Sequence, residues 1–190
     1  MIVGSKRIKL NKISRIYFFV FSILFFSSCE NDLEEIKKVT EIPGAPEERT
    51  RDLELIYSDS GQVKVLLNAS LAESYYKPSH IIKFKEGVKL RFFNPDGSIK
   101  TILTAKYGEI IQSDGNMILR DSVVMKNVNQ QRQLETEELI LNQTSQAINS
   151  TKLVVVKTKD GRFFGDGIKT TSDFSEYQFI KPRGTLNLND

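Results

Sequence analysis

Short runs in which apolar and polar residues alternate fill most of the chain from about residue 53 onward. Residues 53–57 and 88–92 are clear examples. The runs are bounded by turn residues, most clearly Asn-Pro-Asp-Gly at 94–97, where Pro presets the turn and Gly supplies a positive φ. A period of two is typical of half-buried β-strands. The pattern predicts an antiparallel all-β domain over residues 53–190, a sandwich, barrel or jelly roll, with a competing helix only at 133–141.

The N-terminal segment has a different pattern. Residues 1–15 are basic, residues 16–26 form an uncharged apolar run of 11 residues, and Ser27, Ser28 and Cys29 are small. This order of basic, apolar and small residues is that of a secretory signal peptide. A membrane-spanning helix needs about 20 apolar residues, and even a generous count gives only 16 here.

The cysteine at the end of this segment indicates the kind of signal. A lone Cys29 after a short apolar run and two serines resembles the lipobox of bacterial lipoproteins, although Phe26 stands where Leu is common. The resemblance implies that residues 1–28 are removed as a signal peptide and that lipid on the Cys29 thiol holds the chain on a membrane. The alternative is an uncleaved anchor helix in which Cys29 is a small buried thiol.

A polar segment separates the cysteine from the first alternating run. Residues 29–52 carry many charges and contain Pro43, Gly44 and Pro46 near their middle. Such a composition is typical of a flexible linker. We therefore expect residues 29–52 to tether the β domain, residues 53–190, at some distance from the bilayer.

The overall charge changes once the signal peptide is taken into account. The full chain has a formal net charge of +3, but residues 1–28 contain basic residues and no acidic ones. Their removal leaves 22 basic residues against 24 acidic ones, a net charge near −2. Nucleic-acid binding normally needs a basic surface, so we exclude nucleic acid as a partner.

Candidate catalytic and metal-binding groups are scarce. The chain has one Cys and one His, so neither an internal disulfide nor a His/Cys metal site is expected, and we expect no cofactor. No hydrolase, metalloprotease or phosphate-loop motif occurs. We interpret His80 as structural and Glu135, Glu137 and Glu138 as a solvated strand face. The sequence therefore predicts a protein that is not an enzyme.

Four motifs in a fixed order indicate a family. They are Leu-Asn-Ala at 67–69, Phe-Asn-Pro-Asp-Gly within 92–97, Leu-Glu-Thr-Glu-Glu-Leu at 134–139 and Gly-Arg-Phe-Phe-Gly-Asp-Gly-Ile at 161–168. Together, behind an N-terminal membrane anchor, they resemble the LptC family of lipopolysaccharide export. Well-known members use an uncleaved transmembrane helix as the anchor, whereas this chain carries a lipobox-like cysteine at position 29.

The resemblance implies a twisted, partly open antiparallel β-jelly roll of the OstA/LptA-like type. It implies a periplasmic component that accepts lipopolysaccharide from an inner-membrane ABC transporter and passes it to an LptA-like bridge protein by edge-strand pairing. We expect the lipid on Cys29 to hold it on the periplasmic face of the inner membrane. Two alternatives are an envelope lipoprotein whose β-sandwich binds a protein or glycan without carrying lipid, and a lipoprotein that only braces an envelope complex.

A lipid carrier of this kind needs an apolar trough, and alternation gives each strand one face that can line it. Our candidates for the lining, which could equally fill an ordinary closed core, are Ile82, Phe84, Leu90, Phe92, Leu103, Ala105, Leu139, Leu141, Phe163, Ile168, Tyr177 and Phe179. We also expect three glycines, Gly161, Gly165 and Gly167, to allow close backbone approach or a bulge near the C-terminal edge.

Overall fold

The structure, a computed structural model, describes residues 44–183. These residues form an antiparallel all-β unit, which confirms the predicted fold class of a β-jelly roll. The predicted signal peptide, Cys29, the linker up to residue 43 and residues 184–190 lie outside the described residues. Between residues 44 and 183, no helix is long and apolar enough to cross a membrane.

Twelve strands make up the described part of the chain, and β2, β7, β8 and β11 are long. In chain order the strands are β1 (Glu48–Asp59), β2 (Gln62–Tyr75), β3 (Ile81–Phe84), β4 (Val88–Phe93), β5 (Ile99–Ala105), β6 (Tyr107–Ile111), β7 (Asn116–Asn127), β8 (Arg132–Asn142), β9 (Ala147–Ser150), β10 (Val154–Thr158), β11 (Gly161–Thr171) and β12 (Tyr177–Arg183).

The first strand begins earlier than the alternation predicts. β1 starts at Glu48, so residues 48–52, which we assigned to the linker, lie in the sheet. There Arg49 pairs with Glu73 and Arg51 with Leu71 of β2. The pattern missed this part because β1 is an edge strand whose residues are mostly exposed, so it shows little apolar alternation. Backbone pairing and an Arg49–Glu73 ion pair hold it instead.

The segment in which a helix competed is strand β8, so the helical alternative is wrong. Its buried positions change parity along the strand: Leu134 and Thr136 are buried first, and Leu139 and Leu141 afterwards. A strand that bends in this way loses the strict period of two, and its apolar spacing then resembles that of a helix.

One antiparallel sheet is folded across its strands into two facing halves. The long strands β2, β7, β8 and β11 run through both halves, and each pairs with different short strands along one edge. We call half A the part that contains β4, β5 and β10, and half B the part that contains β3, β6 and β9. β1 and β12 form the two outer edges, on β2 and β11.

The line of bending is marked by unusual backbone on neighbouring strands. Gly87 N–H donates to the Lys106 carbonyl oxygen at 2.9 Å, and Lys106 N–H donates to that of Asp121 at 3.0 Å. Gly87, Asp121 and Ser122 all have positive φ, and a bulge interrupts the β7–β8 register between Arg120 and Val123. Bulges and left-handed residues increase local bending of a strand, so the halves can face each other.

The hydrophobic core lies between the two halves, closest to the bend. Leu103 and Met125 of half A and Phe84 and Leu119 of half B are fully buried in one cluster. Away from the bend the halves end at strand ends, and the space between them opens to the exterior at a mouth that includes the start of β5 and the end of β6.

Candidate functional site

An apolar cleft of about 750 Å³ opens between the free ends of the two halves. Polar and charged side chains such as Lys64, Lys100, Gln112 and Asp173 lie among its lining residues. A concave, mainly apolar surface with a few polar groups is the usual form of a ligand site. Its apolar lining consists of Leu55, Ile56, Tyr57, Val65, Leu67, Ile82, Leu90, Phe92, Phe93, Ile110, Met117 and Leu141.

The β1–β2 hairpin forms one wall of this cleft. Leu55 lies opposite Leu67 and Tyr57 opposite Val65, so these side chains share one face of the hairpin. Leu55 is 43% exposed and Tyr57 56%. A contiguous exposed apolar surface on a folded domain marks an interaction site. The cleft wall is therefore a candidate surface for a hydrophobic ligand.

Four of the predicted trough residues line the cleft: Ile82 from half B, Leu90 and Phe92 from half A, and Leu141 from β8. They come from three different strands, β3, β4 and β8, and the fold brings them together at the mouth. That each of them contacts lipid stays a prediction.

Five other predicted residues lie in the closed core. Phe84, Leu103, Leu139 and Ile168 are fully buried, and Ala105 is nearly so. They face the same interior as the cleft residues but lie nearer the bend, where the halves pack directly on each other. Their role as trough lining stays a prediction, while their packing role is evident from their burial.

The remaining predicted residues lie near the C-terminal edge. Phe163 and Tyr177 line a second, smaller cavity of about 390 Å³, together with Gln130, Arg132, Thr158, Lys159 and Asp160. Phe179 packs edge-on against Tyr177, with ring centroids 5.4 Å apart. The predicted trough residues are thus divided among a cleft, a core and a second cavity.

Sequence reasoning missed much of the cleft wall. Leu55 and Tyr57 were recognised as strand residues but not as lining, and Ile110 and Met117 were not singled out. The available signal was the alternation of Leu53, Leu55 and Tyr57, which places all three on one face. Alternation does not predict where each strand ends relative to the bend, and this position determines which inward-facing residues line the cleft.

Two of the three glycines of β11 lie very close to neighbouring atoms. A Cβ on Gly165 would lie 2.6 Å from Phe179 Cδ1, and one on Gly167 would lie 2.4 Å from the Ser150 carbonyl oxygen. Both distances are too short for an ordinary side chain. Gly161 has open space around it and a positive φ at the start of β11.

Charged groups pair with one another on the outer face of half B. The buried Glu73 carboxylate contacts Lys85 at 2.6 Å and Arg49 at 3.0 Å, and it accepts a hydrogen bond from Tyr75. The hydrogen bonds from Lys85 and Tyr75 lower the pKa of Glu73. Arg120 likewise bridges Glu109 and Glu138. Since these charges face outward, the interior stays apolar.

The residues set aside as non-catalytic have ordinary surroundings. Glu135 and Glu138, which were read as a solvated face, are partly exposed and pair with Lys157 and Arg120. His80 stacks on Tyr76, with ring centroids 4.5 Å apart. In the part of the chain that the structure describes, no group of His, Cys, Asp or Glu side chains is placed to hold a metal ion.

At the mouth, one carboxylate is strongly stabilised in its charged form. Asp173 Oδ2 lies 2.5 Å from Lys100 Nζ, and Asp173 Oδ1 accepts hydrogen bonds from Thr171 Oγ1 and from Ser175 N–H and Oγ. Burial by itself would raise the pKa of Asp173, but these partners outweigh burial and hold the pKa well below its ordinary value.

The strands and the cleft define an antiparallel all-β domain of the jelly-roll class with an open apolar cleft. A family model described as lipopolysaccharide-assembly, LptC-related, matches residues 16–182. The chain therefore belongs to the LptC family, which confirms the resemblance in the sequence, and it takes part in lipopolysaccharide transport in the cell envelope. Comparison with curated proteins found no match.

Proposed function

We propose that this chain is the lipid-anchored periplasmic component that accepts lipopolysaccharide from the inner-membrane ABC transporter and passes it to an LptA-like bridge protein. The single observation that carries the proposal is the open apolar cleft, with Leu55 and Tyr57 exposed along one wall. Acyl chains in water favour such a surface because each buried CH₂ contributes about 0.8 kcal/mol. Transfer of this kind requires no nucleophile and no cofactor.

The proposed anchor is lipid on Cys29, on the periplasmic face of the inner membrane. Its support is the order of basic, apolar and small residues over 1–28, followed by a lone cysteine. Cleavage before Cys29 would leave residues 29–47 between the lipid and the start of β1. A lipid anchor offers no helix for contacts within the membrane, so recruitment to the transporter would depend on the β domain.

The proposed contacts with the transporter and the bridge protein use the sheet edges. Among the described strands, β1 pairs only with β2, and β12 pairs only with β11. Each therefore has a free edge whose N–H and C=O groups could pair with a strand of a partner. Pairing at such an edge would continue the sheet, and with it the apolar interior, into the next domain.

Photo-crosslinking in living cells tests the proposal. A photoreactive phenylalanine would replace Tyr57 or Phe92 in the cleft, and Tyr76 as the control. The exposed fraction of Tyr76, 48%, is similar to that of Tyr57, but Tyr76 does not line the cleft. We expect lipopolysaccharide adducts at Tyr57 and Phe92 and none at Tyr76. Protein adducts alone at the cleft positions would instead support the lipoprotein that binds a protein or glycan without carrying lipid.

A further inference from the structure

The loop between β11 and β12, residues 172–176, crosses the mouth of the folded sheet. It leaves β11 in half B, and its Asp173 carbonyl oxygen accepts hydrogen bonds from two buried side chains of half A. Thr101 Oγ1 donates at 2.7 Å and Asn127 Nδ2 donates at 2.9 Å. We call residues 172–176 the bridging loop, because it joins the free ends of both halves.

The bridging loop separates the two cavities. Asp173 lines the large cleft, while Tyr177, directly after the loop, lines the smaller cavity beside β12. Ser175, on the other side of Phe174, accepts a hydrogen bond through its carbonyl oxygen from Arg132 of the smaller cavity at 3.0 Å. Phe174 thus stands in the chain between a residue at the cleft and a residue at the smaller cavity. It is fully buried, with its ring centroid 5.4 Å from that of Tyr177.

The backbone of Phe174 is unusual for such a residue. Its φ is 55°, and it is the only apolar residue with a positive φ, glycines aside, in the described part of the chain. Bulky residues rarely adopt this conformation. Phe174 N–H donates to the Thr171 carbonyl oxygen at 3.0 Å, and Asp173 binds Thr171 and Ser175 within the loop. Sparsely populated backbone that neighbouring contacts hold in place recurs at ligand clamps and switch regions.

We infer that Phe174 is a gate between the cleft and the second cavity, and that an acyl chain reaches Phe163 only when this side chain moves aside. The inference rests on the proposed function, because it concerns the path of lipid through the same interior. Phe174 contacts the acyl chain directly in this scheme, whereas Thr101 and Asn127 position the loop. No bond is made or broken, since passage requires only a change in the position of one side chain.

The test compares lipopolysaccharide adducts on the two sides of the loop, in cells that produce the full chain. A photoreactive phenylalanine at Phe92 reports the cleft, and one at Phe163 reports the second cavity. Each is combined with Phe174→Gly, which removes the ring and suits the positive φ. A second variant, Thr101→Val, removes one hydrogen bond to the loop and keeps the ring, so the test does not depend on one substitution.

We expect the ratio of adducts at Phe163 to adducts at Phe92 to rise several-fold in Phe174→Gly and to rise less in Thr101→Val. An unchanged ratio in both variants, or adducts at Phe163 already equal to those at Phe92 in the wild type, would overturn the gate. A lack of adducts at Phe92 in every variant would overturn the proposed function itself, and the gate with it. Thermal unfolding of each purified variant checks that the domain is folded.

Discussion

Lys100, near the start of β5, and Asp173, in the bridging loop, form an ion pair with 2.5 Å between Nζ and Oδ2. The two residues belong to opposite halves of the folded sheet and meet only at its mouth. Together with the hydrogen bonds to the Asp173 carbonyl oxygen, this contact joins the free ends of the two halves beside the cleft. One short loop therefore carries these contacts between the halves at the mouth.

The first prediction concerns the charge of Asp173. Asp173→Asn keeps the size and the backbone carbonyl but removes the charge that Lys100 and Ser175 stabilise. We expect the free energy of unfolding at pH 7 to fall by roughly 1.5–3 kcal/mol, the usual contribution of a hydrogen bond to a charged group. Urea denaturation of wild type and variant measures the difference.

The pH dependence of that difference has a definite sign. Because the folded-state pKa of Asp173 is lowered, its contribution is complete above the unfolded carboxyl pKa of about 3.9. It is lost as the pH falls toward the folded-state pKa. The difference between wild type and Asp173→Asn should thus shrink below about pH 4. A difference that stays constant down to pH 2 would contradict the assignment.

The second prediction concerns the two tightly packed glycines of β11. Gly167→Ala should destabilise more than Gly165→Ala, since its Cβ meets the Ser150 backbone oxygen, whereas that of Gly165 meets the movable ring of Phe179. Thermal unfolding would rank the two, with Lys169→Ala as an exposed control on the same strand.

The same two glycines give a prediction for export. Gly165→Arg and Gly167→Arg should each impair export. Normal growth with either as the sole copy would count against a role for this edge.

The third prediction concerns Glu73, which binds Arg49 of β1 and Lys85, the residue directly after β3. Glu73→Ala leaves two cations without their partner, so we expect stability to fall by roughly 1–3 kcal/mol. Hydrogen exchange should rise over residues 48–52 in particular, because that part of β1 has few buried side chains. Glu86→Ala, at an exposed position, serves as the control. Equal exchange in both variants would show that backbone pairing alone holds β1.

The strands and their inward faces could largely be predicted from the sequence, but the site could not. Phe92 and Leu103 each stand between one polar and one apolar neighbour, yet Phe92 lines the cleft and Leu103 is buried in the core. Phe92 lies near the free end of β4, whereas Leu103 lies near the bend of β5. Distance from the bend decides between the two, and alternation contains no information on it.

Contacts between segments far apart in the chain could not be predicted from the sequence pattern either. Asp173 and Phe174 follow a strand in what looks like an ordinary turn, and only the fold places them against Lys100 and Thr101. The early start of β1 was missed for a related reason: an edge strand held by backbone pairing and one ion pair has little apolar pattern. Tertiary pairing overrides local signals at both places.

The fourth prediction tests the anchor. Cys29→Ala should remove the site of lipid attachment and leave the precursor uncleaved. The distribution of the protein between cell fractions should then differ from that of the wild type. Fractionation of cells, with the size of the protein read by immunoblot, measures both effects, and Ser28→Ala serves as a neighbouring control. If wild type and Cys29→Ala had the same uncleaved size and the same membrane association, the uncleaved anchor helix would be supported instead.

The fifth prediction separates the cleft from the rest of the exposed apolar surface. Leu55 and Val63 are each 43% exposed and lie on the same hairpin, but only Leu55 lines the cleft. A carboxylate at position 55 would have to lose water when acyl chains enter, which is costly. Leu55→Asp should therefore lower lipopolysaccharide adducts at Phe92 severalfold, while Val63→Asp leaves them near the wild-type level. Both variants should unfold close to the wild-type temperature, because neither side chain is buried. Equal loss in the two variants would mean that the hairpin as a whole, and not the cleft wall, determines lipid capture.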